Sequence, residues 1–239
     1  MSSITTIFTG YSISQNGKDI TLTPPSGKHT HTLIWLHTFK GESQDFFKKF
    51  PEGSAMFPQN LRIVLPNAIC QPVTAIGGES VNSWFDFKAF TPSDESIYDS
   101  ETLNKCYQRI SNVIENEKKL VNNDISKIFL GGLTKGCFMA LYIAFTYPGK
   151  NLGGVIGLHG FLTNKATINH CKERKQMAVL LFHGLEDKAI PPNFAFSTYE
   201  KIFQNCLNSK LIKANGIGHG IVNAEAVTGV KEFLFKYAK

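Results

Sequence analysis

Cysteine is scarce and scattered. Cys70, Cys106, Cys137, Cys171 and Cys206 are odd in number and far apart, with no CxxC pair and no Cys/His cluster. That spacing excludes a disulfide framework and a zinc site, and it predicts reduced thiols. Charged residues make up 18% of the chain, which is too few for disorder when 42% is hydrophobic and 19 residues are Phe; such a composition builds a packed interior. Apolar runs are short, none approaching the roughly 18 residues that a membrane span needs. The first 20 residues also lack the charged-then-apolar layout of a secretory signal. Basic residues outnumber acidic ones for a net charge of +6, yet KK at 48–49, KK at 118–119 and KERK at 172–175 are short and isolated. A nucleic-acid groove would interleave such charges with aromatics along a stripe, so no nucleic-acid partner is expected.

Nucleotide and metal motifs are missing as well. GGLTKG has Cys137 where a Walker loop needs lysine, and Gly216, Gly218 and Gly220 have the wrong spacing for a dinucleotide fingerprint. His29 and His31 stand at a strand edge without Asp or Cys partners. No cofactor and no metal are expected. The compartment expected is the cytoplasm; a Ser/Thr-rich start with no acidic residue before Asp19 leaves mitochondrial import open.

The apolar residues that are present are highly patterned. YSIS and DITLTP flank QNGK, an Asn-Gly hairpin signal. Six continuous apolar runs follow: HTLIWLH (31–37), LRIVLP (61–66), SKIFLGG (126–132), GGVIGLHG (153–160), AVLLFHG (178–184) and SKLIKA (209–214). Such runs mark strands buried on both faces. Between them, residues 102–120 carry Leu103, Cys106, Tyr107, Ile110, Val113 and Ile114 on one helical stripe. Residues 135–147 are apolar nearly all round and predict a buried helix, and 193–206 and 222–237 predict two more. The expectation is one domain over 1–239, of α/β class: a mostly parallel sheet with an N-terminal antiparallel hairpin and helices on both faces.

Open α/β sheets carry their chemistry just beyond the carboxyl ends of the strands. There, Gly132-Leu133-Thr134-Lys135-Gly136 differs from the nucleophile elbow G-x-S-x-G only in its central residue. Asp187 and His219 follow later strands in the order nucleophile, acid, histidine, which is that of α/β hydrolases. Cys137, inside the predicted buried helix, is a poor substitute nucleophile.

With these motifs the chain resembles the phospholipase/carboxylesterase family, whose best-known members are the acyl-protein thioesterases. LIWLH is similar to the strand entering the family's LHGLGD loop, and residues 65–87 to its P-x-A-P-x-x-P-V-T … S-W-F-D segment. FLGGLTKGC stands at the G-F-S-Q-G-G elbow, HGLEDKAIPP at H-G-x-x-D-x-x-V-P and GIGHGI at G-x-G-H. The resemblance implies a cofactor-free serine hydrolase of acyl thioesters, lysophospholipids or carboxylic esters. It implies backbone N–H groups of Phe39 and Lys135 as oxyanion donors. Phe39, Trp84, Phe85 and Phe161 are either lining of an acyl groove or ordinary core aromatics.

Departures from the family pattern gather at the site. Thr134 replaces the serine, Thr38 and Lys40 replace two glycines of the oxyanion loop, Gly41 replaces an acid, Lys135 replaces a glutamine, and His159 replaces a serine in L-S-G-Y. They favour a degenerate site in a silent binding or structural subunit, such as part of a protein assembly. The alternative is attenuated hydrolysis of an acyl ester or thioester through Thr134, His219 and Asp187.

Overall fold

The computed structural model describes residues 8–25, 29–163 and 174–239. Cys171, Lys172 and Glu173 lie outside them, as does the Ser/Thr-rich start through residue 7. The described residues form ten strands: β1 (Ser12–Asn16), β2 (Asp19–Thr23), β3 (His31–Leu36), β4 (Leu61–Leu65), β5 (Cys70–Val73), β6 (Glu79–Asn82), β7 (Ile128–Leu133), β8 (Gly154–Leu158), β9 (Ala178–Gly184) and β10 (Asn208–Ala214). Among the described residues five α-helices accompany them: α1 (Asp45–Lys49), α2 (Ser100–Leu120), α3 (Lys135–Thr146), α4 (Pro192–Phe203) and α5 (Ala224–Tyr237).

Eight strands form one sheet in the order β1-β2-β4-β3-β7-β8-β9-β10. β4, β3, β7, β8, β9 and β10 run parallel, and the β1–β2 hairpin joins antiparallel at the β4 edge. Every residue of β3, β7, β8 and β9 is buried, which is why those segments read as continuous apolar runs. Alternate residues serve opposite faces. Ile34, Leu36, Leu130 and Val179 pack with α2, α3 and α4, whereas Leu33, Trp35, Phe129 and Leu180 pack with α1 and α5. The expected two-faced α/β sheet is therefore the observed one.

Two details differ from the sequence reading. Asn16 pairs with Asp19, so the hairpin turns on Gly17-Lys18, with positive φ at Gly17 (60°), and Asn16 closes the strand. The short hairpin β5–β6 and the one-turn helix α1 were not foreseen, because four or five residues are too few to display a period. Among the described residues, no helix is long and apolar enough to cross a membrane.

Helix α2 buries a charge on its apolar face. Glu117 accepts hydrogen bonds from Arg62 Nε (2.9 Å) and Thr32 Oγ1 (3.1 Å), tying the helix to β3 and β4. A buried carboxylate is tolerable only with such partners. Glu117→Ala leaves Arg62 without its counter-charge and is expected to lower the unfolding free energy by about 3 kcal/mol. Urea denaturation measures it, and a loss within ±0.5 kcal/mol of zero would show that the pair adds nothing.

Candidate active site

The site begins where β7 turns into α3. A Cβ on Gly132 would lie 2.3 Å from the carbonyl of Gly136, and one on Gly136 would lie 2.1 Å from the carbonyl oxygen of Leu36 at the end of β3. Only glycine permits this approach of helix to sheet. Between the two glycines the chain reverses through Thr134 at φ 53°, ψ −111°. Its N–H donates to Leu158 O (2.9 Å) and its carbonyl accepts from Phe138 N (3.0 Å), so neighbours on both sides hold the turn. A β-branched residue at positive φ is a strained conformer, costing about 1–3 kcal/mol.

The Thr134 side chain has a defined direction. Its Oγ1 hydrogen-bonds to Thr38 Oγ1, in the loop that follows β3. Its γ-methyl faces Gly220, lying 3.7 Å from where a Cβ on that glycine would stand. Among the described residues, no hydrogen bond joins Thr134 to His219, although both line one cavity of about 480 Å³. The two residues are brought to one place without being joined.

Asp187 and His219 are joined directly. His219 Nδ1 donates to Asp187 Oδ2 at 2.8 Å, which leaves Nε2 as the acceptor nitrogen of the neutral ring. Asp187 is buried and takes more partners than the sequence indicated. Oδ1 accepts from the N–H groups of Ala189 (3.0 Å) and Ile190 (2.8 Å). Oδ2 also meets His159 Nδ1 at 3.3 Å and His183 Nε2 at 3.5 Å. Burial alone would raise the Asp187 pKa, but hydrogen bonds from His159, His219 and Ile190 outweigh it and hold the carboxyl well below its usual range.

His159 and His183 were missed as partners of this carboxylate, because they sit at the ends of β8 and β9 and meet it only in space. His159 adopts φ 52° and is fully buried. Its Nε2 donates to the Ile221 carbonyl (2.8 Å), which fixes the ring against the loop after β10. His183 Nε2 donates to Ile190 O (2.9 Å), and its Nδ1 is buried without a partner. His159, His183 and Asp187 each offer a ligand atom within 4.8 Å of one another, a spacing that suits a metal ion. The Nε2 atoms of both rings are nevertheless committed to backbone carbonyls.

Of the predicted aromatics, Phe39 and Phe161 line the cavity, and Trp84 and Phe85 do not. Trp84 is a support: its indole N–H donates to His37 O (2.8 Å) and its ring lies 4.8 Å from the His37 ring. Phe85 is core, packed on Phe138 and Tyr98. Phe90, Pro92 and Ile190 complete the lining in their stead. The unforeseen β5–β6 hairpin clamps the loop after β3, since Lys40 N–H donates to Asn82 O (3.0 Å) and Asn82 Nδ2 to Gly41 O (3.0 Å). Lys40 keeps a left-handed φ of 60°. Among the described residues the N–H groups of Phe39 and Lys135 have no acceptor. Cys137 is fully buried, and burial pushes its thiol far above the normal range, so it is no nucleophile.

A mostly parallel sheet with a strained hydroxyl-bearing elbow after β7, and an acid and a histidine after later strands, defines an α/β hydrolase. The crystal structure of Zea mays acyl-protein thioesterase 2 shares this fold, with TM-score 0.72 at 21% identity over 94% of this chain and 100% of that one. The sequence profile of the phospholipase/carboxylesterase family matches residues 18–238, and the chain belongs to that family. Mus musculus lysophospholipase-like protein 1 is 30% identical over 186 residues, covering 74% of this chain and 75% of its own. Acyl-protein thioesterase 1 of Schizosaccharomyces pombe is 28% identical over 184 residues, covering 76% and 79%.

The strain at residue 134 is measurable. Thr134→Gly removes the Cβ that opposes positive φ at the cost of about 0.5–1 kcal/mol of added chain freedom. A net stabilisation on the order of 1 kcal/mol is expected. Thermal unfolding reads it; a fall in Tm would mean that the threonine sits there without strain.

Proposed function

We propose that this family member is degenerate at its nucleophile and works as a catalytically silent binding or structural subunit. The observation that carries this reading is the direction of the Thr134 side chain, with Oγ1 on Thr38 and the methyl toward Gly220. A general base takes a proton only from a group within hydrogen-bond reach. Displacement of a nucleophile by about 1 Å already costs roughly a hundredfold in rate. Two further departures support the reading. Thr38, where the resemblance places a glycine, supplies the hydroxyl that holds Thr134. His159, where it places a serine, puts a second imidazole on the oxygen that His219 uses. An acid shared in this way favours the imidazolium of His219 less than an undivided one.

The Asp187–His219 hydrogen bond and the two unpaired N–H groups favour a second reading, slow hydrolysis of acyl thioesters or carboxylic esters. In it Thr134 attacks the acyl carbonyl, and His219 takes the proton and returns it to the leaving thiol or alcohol. Asp187 fixes the imidazole tautomer, and the N–H groups of Phe39 and Lys135 receive the oxyanion.

Hydrolysis of p-nitrophenyl acyl esters and of an acyl thioester separates the two. The natural chain is expected to turn over no faster than Thr134→Ala. Thr134→Ser combined with Thr38→Gly and His159→Ser is expected to exceed Thr134→Ser alone by roughly a hundredfold, as the hydroxyl and the acid are both released. Activity in the natural chain that alanine abolishes would overturn the silent reading in favour of the second.

A further inference from the structure

Hydrolysis, as the second reading has it, leaves the Lys135 side chain without a task. The backbone N–H of Lys135 has a place in it; the side chain has none. Lys135 Nζ lies 4.0 Å from the centre of the Phe87 ring, 5.2 Å from that of Tyr98 and 5.5 Å from that of Phe85. Aromatic faces attract a cation, but they do not neutralise it. Among the described residues Lys135 has no ion pair and its ammonium no hydrogen bond. A half-buried cation with no counter-charge is a costly arrangement unless an anion visits.

The rest of the cavity shows what kind of anion fits. Lys188 adds a second, exposed cation, and among the described residues no Asp or Glu belongs to the lining. Thr38, Thr134 and His219 line the elbow side, Phe39, Phe90, Phe161 and Ile190 give apolar walls, and Phe90 is 59% exposed, an unusual position for so large a hydrophobic ring. A volume of about 480 Å³ is in the range that encloses a small organic ligand. Cationic groups beside apolar walls complement a hydrocarbon tail with an anionic head. An uncharged ester would leave both lysines unanswered.

We propose that the cavity binds a free fatty carboxylate, its carboxylate paired with Lys135 Nζ and its tail against Phe39, Phe90, Phe161 and Ile190. The inference rests on the binding reading of the same cavity and deepens it by naming the ligand class. It makes Lys135, the residue in place of the family's glutamine, the specificity-determining group. No bond is made or broken.

The charge state of Lys135 gives the inference a signature. Burial lowers its pKa to about 8, so the free side chain is cationic below that pH and neutral above it. Carboxylate binding needs the cation and is lost as pH rises through and beyond about 8. The groups facing the ammonium are the rings of Phe85, Phe87 and Tyr98, with Lys188 and His219 sharing the cavity. Burial, with Glu95 and Asp94 nearby, holds the Tyr98 phenol far above its usual range, so it stays neutral throughout.

Isothermal titration of the full chain with sodium decanoate, 1-decanol, decyltrimethylammonium and decyl phosphate tests this. Decanoate is expected to bind most tightly at pH 7. Lys135→Met, which keeps the apolar stem among the rings, is expected to weaken it about ten- to a hundredfold, the worth of a charge-assisted hydrogen bond. Lys135→Arg should retain binding, and thermal unfolding of both variants establishes that they are folded. Between pH 7 and 9.5 decanoate should weaken while decanol does not change. Decanol binding as tightly as decanoate, or decanoate indifferent to Lys135→Met, would overturn the proposal; tighter binding of decyl phosphate would overturn the choice of carboxylate. Decanoate has no bond to hydrolyse, so this result stands apart from the ester assay.

Discussion

The arrangement depends on how closely the first turn of α3 packs against the ends of β3 and β7. Gly132 and Gly136 leave no room for a Cβ at either position. The chain must therefore reverse over a single residue, and that residue has to take positive φ. A side chain at such a bend is lifted clear of the sheet, at the strand ends where loops from other crossovers converge. Position 134 is thus a presentation site by backbone geometry alone, whatever side chain occupies it. The helix N-terminus behind it favours negative charge, which suits an oxyanion and equally suits a bound carboxylate.

A threonine in this bend alters what is presented. Serine carries one heavy atom on its Cβ; threonine carries two, so placing the methyl decides where the hydroxyl goes. Here the methyl takes the side of Gly220, and the hydroxyl turns to Thr38. Two departures from the family pattern, 96 residues apart in sequence, therefore meet as one hydrogen bond. His159 is a third departure that reaches the same machinery by another route, through the carboxylate. Lys135 is a fourth, and its side chain leaves the reacting atoms altogether for a box of aromatic rings.

The sheet was legible because its interior strands are buried on both faces and so spell unbroken apolar runs. The stripe on α2 was legible for the corresponding helical reason, except at Glu117, where a charge is buried by partners from β3 and β4 that no local pattern can show. Thr134, Asp187 and His219 could be read from motif and order, since each follows its own strand. The aromatics divided: residue type says that Trp84 and Phe85 are buried, but not whether they face the cavity or the core. His159 and His183 were invisible as partners of Asp187 for a similar reason, since imidazoles at two strand ends meet only once the sheet has twisted and closed its loops. The β5–β6 hairpin, which fixes the loop before the elbow, is too short to show alternation.

Survival of the acid and the histidine bears less on catalysis than it first suggests. Asp187 is a junction: one oxygen caps the N–H groups of Ala189 and Ile190, and the other gathers imidazoles from the end of β9 and from the loops after β8 and β10. Removing it would leave the buried donors of His159 and Ile190 unsatisfied, a penalty of about 1–3 kcal/mol for each. That cost falls on folding, with or without turnover. His219 in turn keeps its ring oriented by its bond to Asp187 and contributes to the cavity wall. The Asp187–His219 pair thus organises the strand ends, whether or not a hydroxyl engages it. The weight of a functional reading therefore falls on the nucleophile's direction and on the charge of the cavity, the two features that the scaffold itself does not require.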